Sequence, residues 1–227
     1  GISCRRIVNE LKELHIDMAQ VEGIFISHEH SDHIAGLQQL LKRFDIPVYT
    51  KQGTWREIQD KLVVPKNQLI ELTKGSLTLG NLIVEPFAVS HDAADPIGIN
   101  VFSGKDKATV VTDTGIISDD ILHRLDDSTL LVLEANYDPH MLRFGPYQPF
   151  LKQRVASDEG HLSNEMAAQA LLMMKRPDFM QVILAHRSEN NNNAVLVTQT
   201  IGKMLVDGGV RIGPEMKLQH GQPNEIV

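Results

Sequence analysis

The chain has 227 residues, of which 42% are hydrophobic and 22% are charged, a composition typical of a globular protein with a continuous core. The formal net charge of −7 argues against a generally basic nucleic-acid-binding surface, although it leaves room for a local basic strip. Cys4 is the single cysteine, which excludes an internal disulfide and a thiolate-rich zinc site. A bound metal would therefore need nitrogen and oxygen ligands.

No apolar run approaches the roughly 18 residues that are needed to cross a bilayer. The first residues, GISCRRIVNELKELHIDM, have the spacing of an amphipathic helix rather than the pattern of a signal peptide. We therefore expect a cytoplasmic protein without a membrane partner, folded as one domain over residues 1–227, and we leave its oligomeric state open.

Five short apolar runs end abruptly in polar residues that suit metal binding or acid–base chemistry. The runs are VEGIFISH, LIVEPFAVSHD, ATVVTDTG, TLLVLEANYD and FMQVILAHRSEN. Each has the length of a strand and is too apolar to be an exposed one. The predicted strand ends carry the side chains of His28, His91, Asp113, Glu134 and His186.

Amphipathic segments with helical spacing lie between these runs, namely SDHIAGLQQLLKRF, SDDILHRL and LSNEMAAQALLMMK. The stretches SLTLGNLIVEPFAVSH and GINVFSGKDKATVVTDTG have the pattern of hairpins around turn residues. Strands and helices therefore alternate without an all-parallel rhythm, which predicts a layered α/β fold with mixed sheets.

The segment RFGPYQPFLKQR is predicted to be irregular because it contains Gly145, Pro146 and Pro149. An ordinary surface loop explains it, since loops collect such residues. Its interleaved aromatic and basic side chains also suit a substrate wall that stacks bases and meets phosphates. The candidate substrate-binding residues are Arg143, Tyr147, Lys152, Arg154 and, from the segment after TLLVL, Asn136.

The motif ISHEHSDHIAGL concentrates metal-binding side chains between a strand and a helix. His28 and His30 are two residues apart, so on an extended segment their rings project to the same side. Asp32 and His33 follow in the first turn of the helix that begins near Ser31. One short loop can thus offer two ligand pairs to two neighbouring metal sites.

The other strand ends supply further candidate ligands in His91, Asp113 and His186. One such residue at a strand end would be weak evidence of a metal site. Three of them, together with the histidine-rich motif, favour one. Imidazoles with carboxylates suit Zn²⁺, Mn²⁺ or Fe, so the donor types do not name the ion. Two divalent ions about 3.5–4 Å apart can activate a bridging water and hold a phosphate oxygen, which predicts hydrolysis of a phosphoester or another polar ester.

These residues resemble the metallo-β-lactamase superfamily, whose HxHxDH motif matches ISHEHSDHIAGL. The resemblance implies an αββα four-layer sandwich with mixed sheets and a metal site at one edge of the sheets. It also implies a ligand set for two ions: His28, His30 and His91 for the first, Asp32, His33 and His186 for the second, and Asp113 bridging both.

Further segments, including SHDAADPIGINV, GPYQPFLKQRV, GHLSNEMAA and LAHRSENNN, are similar to the YycJ/WalJ branch of that superfamily. This resemblance implies a metal-dependent exonuclease whose substrate is DNA rather than RNA. Tyr137 and Arg187 depart from the branch at positions outside the proposed ligand set. The family has paired strands and a bracing Asp ahead of the position of Gly1, so we expect this chain to lack those first strands.

Three residues are catalytic candidates: Asp32, His161 and Glu134. In related phosphodiesterases a histidine at the position of His161 approaches the scissile phosphate, where it can stabilise the phosphorus or protonate the leaving oxygen. The alternative is an ordinary helix N-terminus capped by Ser163. Glu134 is a candidate partner that orients His161, although a plain turn also explains it.

Two other functions remain open at this point. One is a thioester or other small-molecule hydrolase of the same fold, of the glyoxalase type, since such enzymes share the metal ligands. Cysteine-ligand β-lactamases are disfavoured because Cys4 is the only cysteine and Asp113 occupies the bridging position. The other is a binding module that keeps metals for stability without turnover.

Overall fold

The computed structural model describes residues 1–73 and 75–221. The chain divides into two compact units, the first made of Gly1–Gly75 with Ala93–Ile97 and the second of Ser76–Asp92 with the chain from Gly98 onward. The assignment of residues 1–227 to a single domain stays a prediction.

The described residues of the first unit form a three-stranded parallel sheet in the order β1–β2–β3 and four α-helices. The predicted N-terminal helix is present as α1, and Ser3 caps it by accepting a hydrogen bond from the backbone N–H of Arg6. The strand predicted in VEGIFISH is only two residues long. The elements are α1 (Cys4–Glu13), β1 (Ile24–Phe25), α2 (Ser31–Ile34), α3 (Leu37–Arg43), β2 (Val48–Thr50), α4 (Gln52–Lys61) and β3 (Leu69–Glu71).

The single helix predicted for SDHIAGLQQLLKRF is wrong, because the segment forms two helices, α2 and α3, separated at Gly36. A Cβ atom at Gly36 would lie 2.2 Å from the backbone oxygen of Ile2, so glycine is required where the start of the chain crosses this point. The packing of the N-terminal segment thus overrides the continuous helical pattern. One core cluster of the unit contains Ile26, Ile34, Leu37, Leu41, Val48, Trp55 and Ile58, and a second contains Cys4, Met18, Leu40 and Ile46.

The second unit is built on a seven-stranded mixed sheet in the order β10–β9–β8–β7–β6–β5–β4. Both predicted hairpins are confirmed, since β4 pairs with β5 and β6 with β7 in antiparallel fashion, whereas β7 to β10 run parallel. The strands are β4 (Leu77–Leu79), β5 (Leu82–Ala88), β6 (Ile97–Ser103), β7 (Asp106–Val111), β8 (Leu130–Glu134), β9 (Met180–Ala185) and β10 (Met216–His220).

The parallel register aligns the carboxyl ends of three neighbouring strands. Val111 of β7 lies opposite Leu133 of β8, and Glu134 of β8 lies opposite Ala185 of β9. Polar residues that follow these strands therefore emerge at one edge of the sheet. The core beneath them includes the fully buried Val111, Leu131, Leu133, Val182, Leu171 and Ile201.

Helices fill the connections of this sheet, and the helices predicted from SDDILHRL and LSNEMAAQALLMMK are both present. The surface loop predicted for RFGPYQPFLKQR is wrong, because the segment contains the end of one helix and most of another. Pro149 begins the second helix, where the missing N–H of proline costs no hydrogen bond. The helices are α5 (Asp119–Leu125), α6 (Pro139–Phe144), α7 (Pro149–Val155), α8 (Asn164–Met173) and α9 (Ala194–Asp207).

Helix length also bears on the membrane. Across residues 1–73 and 75–221, we find no helix with the length and apolar character needed to span a bilayer.

Candidate metal centre

In the first unit, the histidine-rich loop brings its imidazoles into contact with one another. The ring centroids of His28 and His33 are 4.0 Å apart, and those of His28 and His30 are 4.6 Å apart. Ser27 Oγ lies 3.1 Å from His28 Nδ1 and 3.2 Å from His33 Nδ1, so one hydroxyl contacts both rings. Asp32 lies beside His33 in the first turn of α2, and its side chain is 64% exposed.

The loop is fixed through Glu29, whose side chain serves the fold. Glu29 is buried, and its Oε1 accepts a hydrogen bond from the backbone N–H of Ala94 at 2.9 Å. Lys61 Nζ donates to the Glu29 carbonyl, and the Ile97 N–H donates to the Ser27 carbonyl. The alternating residues of the motif thus have separate tasks, since Glu29 anchors the loop between the two histidines.

In the second unit, two candidate ligands follow parallel strands in a strained backbone conformation. Asp113 comes two residues after β7 and has φ 56°, whereas His186 directly follows β9 and has φ 52°. This left-handed region is uncommon for residues other than glycine and tends to occur at functional sites. The strain at the ends of β7 and β9, the two strands that flank β8, marks this edge of the sheet as a candidate site.

Glu134 joins two histidines at the same edge. Its Oε1 accepts hydrogen bonds from His161 Nδ1 at 2.8 Å and from His186 Nδ1 at 2.7 Å. Its Oε2 accepts from the backbone N–H groups of Thr114 and Leu162. The contact that the sequence analysis expected between Glu134 and His161 is present, and the same oxygen also serves His186, which was not expected.

Charge follows this arrangement. Burial by itself would raise the pKa of Glu134, but the hydrogen bonds from His161 and His186 outweigh it and lower the pKa to about 2. For His161, burial disfavours the charged form and by itself would lower the pKa. The hydrogen bond to Glu134 and the charge of that carboxylate outweigh burial, so the pKa of His161 is raised overall. A neutral imidazole that donates from Nδ1 keeps its lone pair on Nε2, the arrangement in which histidine binds a metal.

His91 is oriented by a different partner. Its Nδ1 lies 3.0 Å from the carbonyl oxygen of Gly160, which fixes the ring so that Nε2 faces Asp113 Oδ1 at 3.8 Å. Burial lowers the pKa of His91 and so favours the neutral imidazole that metals require. Asp113 Oδ1 is also 3.4 Å from His186 Nδ1.

The donor set of the second unit fits a divalent cation. One ligand atom from each of Asp113, Glu134, His161 and His186 lies within 4.8 Å of the others, and all four are nitrogen or carboxylate oxygen. Such donors suit Zn²⁺, Mn²⁺ or Fe. The hydrogen bonds of Glu134 show that it braces the two imidazoles.

The candidate substrate-binding residues occupy several environments in the second unit. Asn136 Nδ2 donates to the His186 carbonyl at 2.8 Å, so it supports the left-handed backbone of that residue. Arg154 donates to the carboxylate of Asp92, and Lys152 Nζ donates to the Arg143 carbonyl. The Tyr147 hydroxyl contacts Asn190 Nδ2 at 3.4 Å. Their roles toward a substrate stay predictions.

A buried asparagine pair was missed by the sequence analysis. Asn192 Nδ2 donates to the carbonyls of Ala135 and Asn136, both at 3.1 Å, and to Asn164 Oδ1 at 2.8 Å. Asn164 Nδ2 returns a hydrogen bond to Asn192 Oδ1. The pair ties the segment after β8, the start of α8 and the loop after His186 together, and the only sequence signal was the run of asparagines at 190–193, which resembles a polar turn.

Comparisons with known proteins agree with this geometry. The family model described as a beta-lactamase superfamily domain matches residues 5–186. The chain is 33% identical over 225 residues to the exodeoxyribonuclease YycJ of Bacillus anthracis, covering 98% of this chain and 85% of that protein. It is 31% identical over 229 residues to the exodeoxyribonuclease WalJ of Streptococcus pneumoniae, covering 99% and 85%.

A solved structure shows the same fold. The metallo-β-lactamase fold protein YhfI from Bacillus subtilis superposes with a TM-score of 0.67 at 15% identity, covering 96% of this chain and 80% of that one. The predicted α/β class and the metallo-β-lactamase fold are thereby confirmed.

The fold and the donor set define a metal-dependent hydrolase, which confirms the predicted class of enzyme. The chain belongs to the metallo-β-lactamase superfamily, and within it to the YycJ/WalJ-like group.

Proposed function

We propose that this protein is an exonuclease that hydrolyses the phosphodiester bonds of DNA with two divalent metal ions, drawn from Zn²⁺, Mn²⁺ and Fe. The observation that carries the proposal is the similarity over 98% of the chain to a protein named as an exodeoxyribonuclease. The nitrogen and carboxylate donors of both units supply a chemistry that suits these ions.

The proposed ligands follow the family resemblance. Three histidines would hold one ion, two histidines and an aspartate would hold the second, and a further aspartate would serve both. These ligands are, in that order, His28, His30 and His91; Asp32, His33 and His186; and Asp113. Bound ions would supply Lewis acidity and a nucleophilic water at neutral pH.

The protein's own side chains then position the reacting groups. Glu134 orients His161 and His186 through Nδ1, which leaves the opposite nitrogen of each ring for work in the site. We propose that His161 donates a proton to the leaving oxygen. Glu134 holds its ring in place, and its side chain is still 21% exposed. Asn136 fixes the backbone of His186.

The test combines metal analysis with digestion of a labelled strand. The purified full chain should contain two divalent ions and should shorten a 5′-labelled DNA strand in Mn²⁺. Asp32→Ala should lower the rate by about 100-fold or more, since losing a metal ligand exceeds the 10–100-fold cost of losing a residue that only supports one. Its exposed side chain leaves the fold unchanged.

The matched control is Asp60→Ala, which removes an exposed carboxylate from α4 in the same unit. Activity equal to that of the unmodified protein is expected for this variant. A metal-loaded protein that leaves DNA intact would refute the nuclease, and faster digestion of an RNA strand of the same sequence would change the substrate. Turnover of a glutathione thioester above that of DNA would favour a thioester hydrolase.

A further inference from the structure

The helices α6 and α7 leave two large aromatic rings in solvent. Phe144 is 66% exposed and Phe150 is 71% exposed, which makes them the most exposed aromatic side chains in the described part of the chain. The same helices bury Leu142 and Val155 against Tyr137, so their apolar faces are already covered. The two phenylalanines are therefore not needed by the core on which these helices pack.

Charge is unusual in the same segment. Residues 139–157 contain Arg143, Lys152 and Arg154 and no aspartate or glutamate, whereas the whole chain carries a formal charge of −7. The Arg143 guanidinium lies over the Phe144 ring at 5.3 Å from its centroid. A surface with exposed aromatic rings beside cations complements a polyanion whose bases can stack.

The segment is attached to the loops that carry the proposed metal ligands of the second unit. Arg154 of α7 donates to Asp92, the residue after His91. The carbonyl of Val155 accepts from the backbone N–H of His161 at 2.9 Å. These contacts place the end of α7 beside two residues of the candidate site.

The preceding helix is tied to the loop after His186. The backbone N–H of Asp138, the cap of α6, donates to the Asn191 carbonyl at 2.8 Å. The Tyr147 hydroxyl between the two helices meets Asn190. The exposed rings thus belong to a segment that is hydrogen-bonded to the loops of the site, rather than to a distant part of the surface.

We propose that Phe144 and Phe150, together with Arg143 and Lys152, form a stacking platform for the unpaired bases of a single-stranded DNA end. This inference rests on the proposed function, and it narrows the substrate to strands whose bases are exposed. In a blunt duplex the bases are paired and stacked within the helix, so only the phosphates can reach this surface. The platform recognises bases through their faces and is therefore tolerant of sequence.

The experiment measures binding apart from cleavage. Fluorescence anisotropy of the metal-loaded full chain is recorded with a fluorescein-labelled oligothymidylate whose phosphorothioate linkages resist hydrolysis, and with an abasic strand of equal length and linkage. For Phe144→Ala combined with Phe150→Ala, the oligothymidylate should bind about 25-fold more weakly or worse, since each of the two stacked bases contributes at least about fivefold. Binding of the abasic strand should stay nearly unchanged.

Two controls separate stacking from folding. Phe179→Ala removes another exposed phenylalanine of the same unit, 45% exposed, and should bind both strands like the unmodified protein. Replacing Phe144 and Phe150 by tryptophan keeps large ring faces and should retain the affinity for oligothymidylate.

Three outcomes would overturn the platform. In the first, the double alanine variant would bind oligothymidylate as tightly as the unmodified protein. In the second, it would lose affinity for both strands equally. In the third, the unmodified protein would sediment as a dimer and this variant as a monomer. If any of these occurs while labelled DNA is still shortened, the proposed function stands without the platform. If binding of oligothymidylate depends on Phe144 and Phe150 but the protein hydrolyses no DNA, the platform is supported and only the proposed nuclease activity is refuted.

Discussion

The two regions that carry the proposed ligands are built in different ways. In the first unit, the residues from His28 to His33 lie in one loop and the first turn of α2, and the hydroxyl of Ser27 contacts two of the rings. In the second unit, the ligands come from separate strand ends, and the buried carboxylate of Glu134 holds two rings. The first region is organised by local sequence, whereas the second depends on strand register.

This difference has an energetic side. Glu134 is 0% exposed and carries its charge inside the protein, where an ionised group is tolerated only if its hydrogen bonds are complete. The hydroxyl of Ser27 is neutral and only half-buried, so its loss leaves little unsatisfied. We therefore expect the supporting residues of the second region to matter for folding and for chemistry, and those of the first region to matter mainly for chemistry.

The largest effect is expected for Glu134→Ala. The change leaves the N–H groups of Thr114 and Leu162 and two histidine rings without their acceptor, because all four hydrogen bonds end on this carboxylate. Removing one side of such a buried charged network costs about 3–5 kcal/mol. Urea unfolding followed by circular dichroism measures the loss.

Glu134→Gln is the matched variant, since it keeps the volume and one oxygen. It should lose less stability than the alanine variant, while DNA hydrolysis should fall by about 10–100-fold, the usual effect of losing a group that orients metal-binding histidines. An alanine variant as stable as the unmodified protein would break the comparison, since the second region would then not depend on its buried charge.

The next effect is expected for Asn192→Ala. Asn192 is 4% exposed and connects the segment after β8 to Asn164 of α8. Its loss leaves several buried polar groups without a partner, at a cost of about 1–3 kcal/mol. Chemical unfolding gives the stability.

Asn190→Ala, two residues earlier, is the control, because Asn190 is exposed and makes a long contact to Tyr147. Its stability should change by less than about 0.5 kcal/mol. Equal losses for the two asparagines would mean that burial is not what distinguishes them.

The same comparison explains what could be predicted from the sequence. The residues from His28 to His33 were recognisable because their spacing alone brings them together where a strand gives way to a helix. Asp113 and His186 could be suggested by strand ends, but their meeting depends on the parallel register of β7, β8 and β9, which no local pattern encodes. The αβ class and both hairpins followed from apolar runs and turn residues.

The errors have physical causes of the same kind. The break at Gly36 arises from contact with the backbone of Ile2, which lies 34 residues earlier in the sequence. Helical spacing gives no sign of this distant contact. Pro149 was taken as a sign of an irregular loop, although proline at the first position of a helix is favourable. Asn192 looked like a turn residue because burial of an asparagine depends on distant partners.

A smaller effect on stability is expected for Ser27→Ala in the first region. The loop keeps its anchors through Glu29 and the Ser27 carbonyl, so the free energy of unfolding should change by less than about 1 kcal/mol. The rings of His28 and His33 lose a shared contact, so affinity for metal should fall by about tenfold, the lower end of the range for residues that support ligands. Titration with a competing chelator measures this affinity.

Ser31→Ala is the control for that variant, since Ser31 is exposed in the same motif and should leave metal affinity unchanged. A loss of several kcal/mol for Ser27→Ala would contradict the distinction between the two regions.

The smallest effect on stability is expected for Arg154→Ala. This variant tests whether the sensitivity of the second region comes from the burial of its charges or from their position beside the ligands. Arg154 lies in the second region and pairs with Asp92, but its side chain is 55% exposed and water screens the pair. Exposed ion pairs contribute about 0.2–1 kcal/mol, so the unfolding free energy should fall by no more than that. If Arg154→Ala instead costs as much as Glu134→Ala in urea unfolding, the sensitivity of the second region belongs to its position beside the ligands. If the loss is small, burial of charge is what makes that region costly to alter.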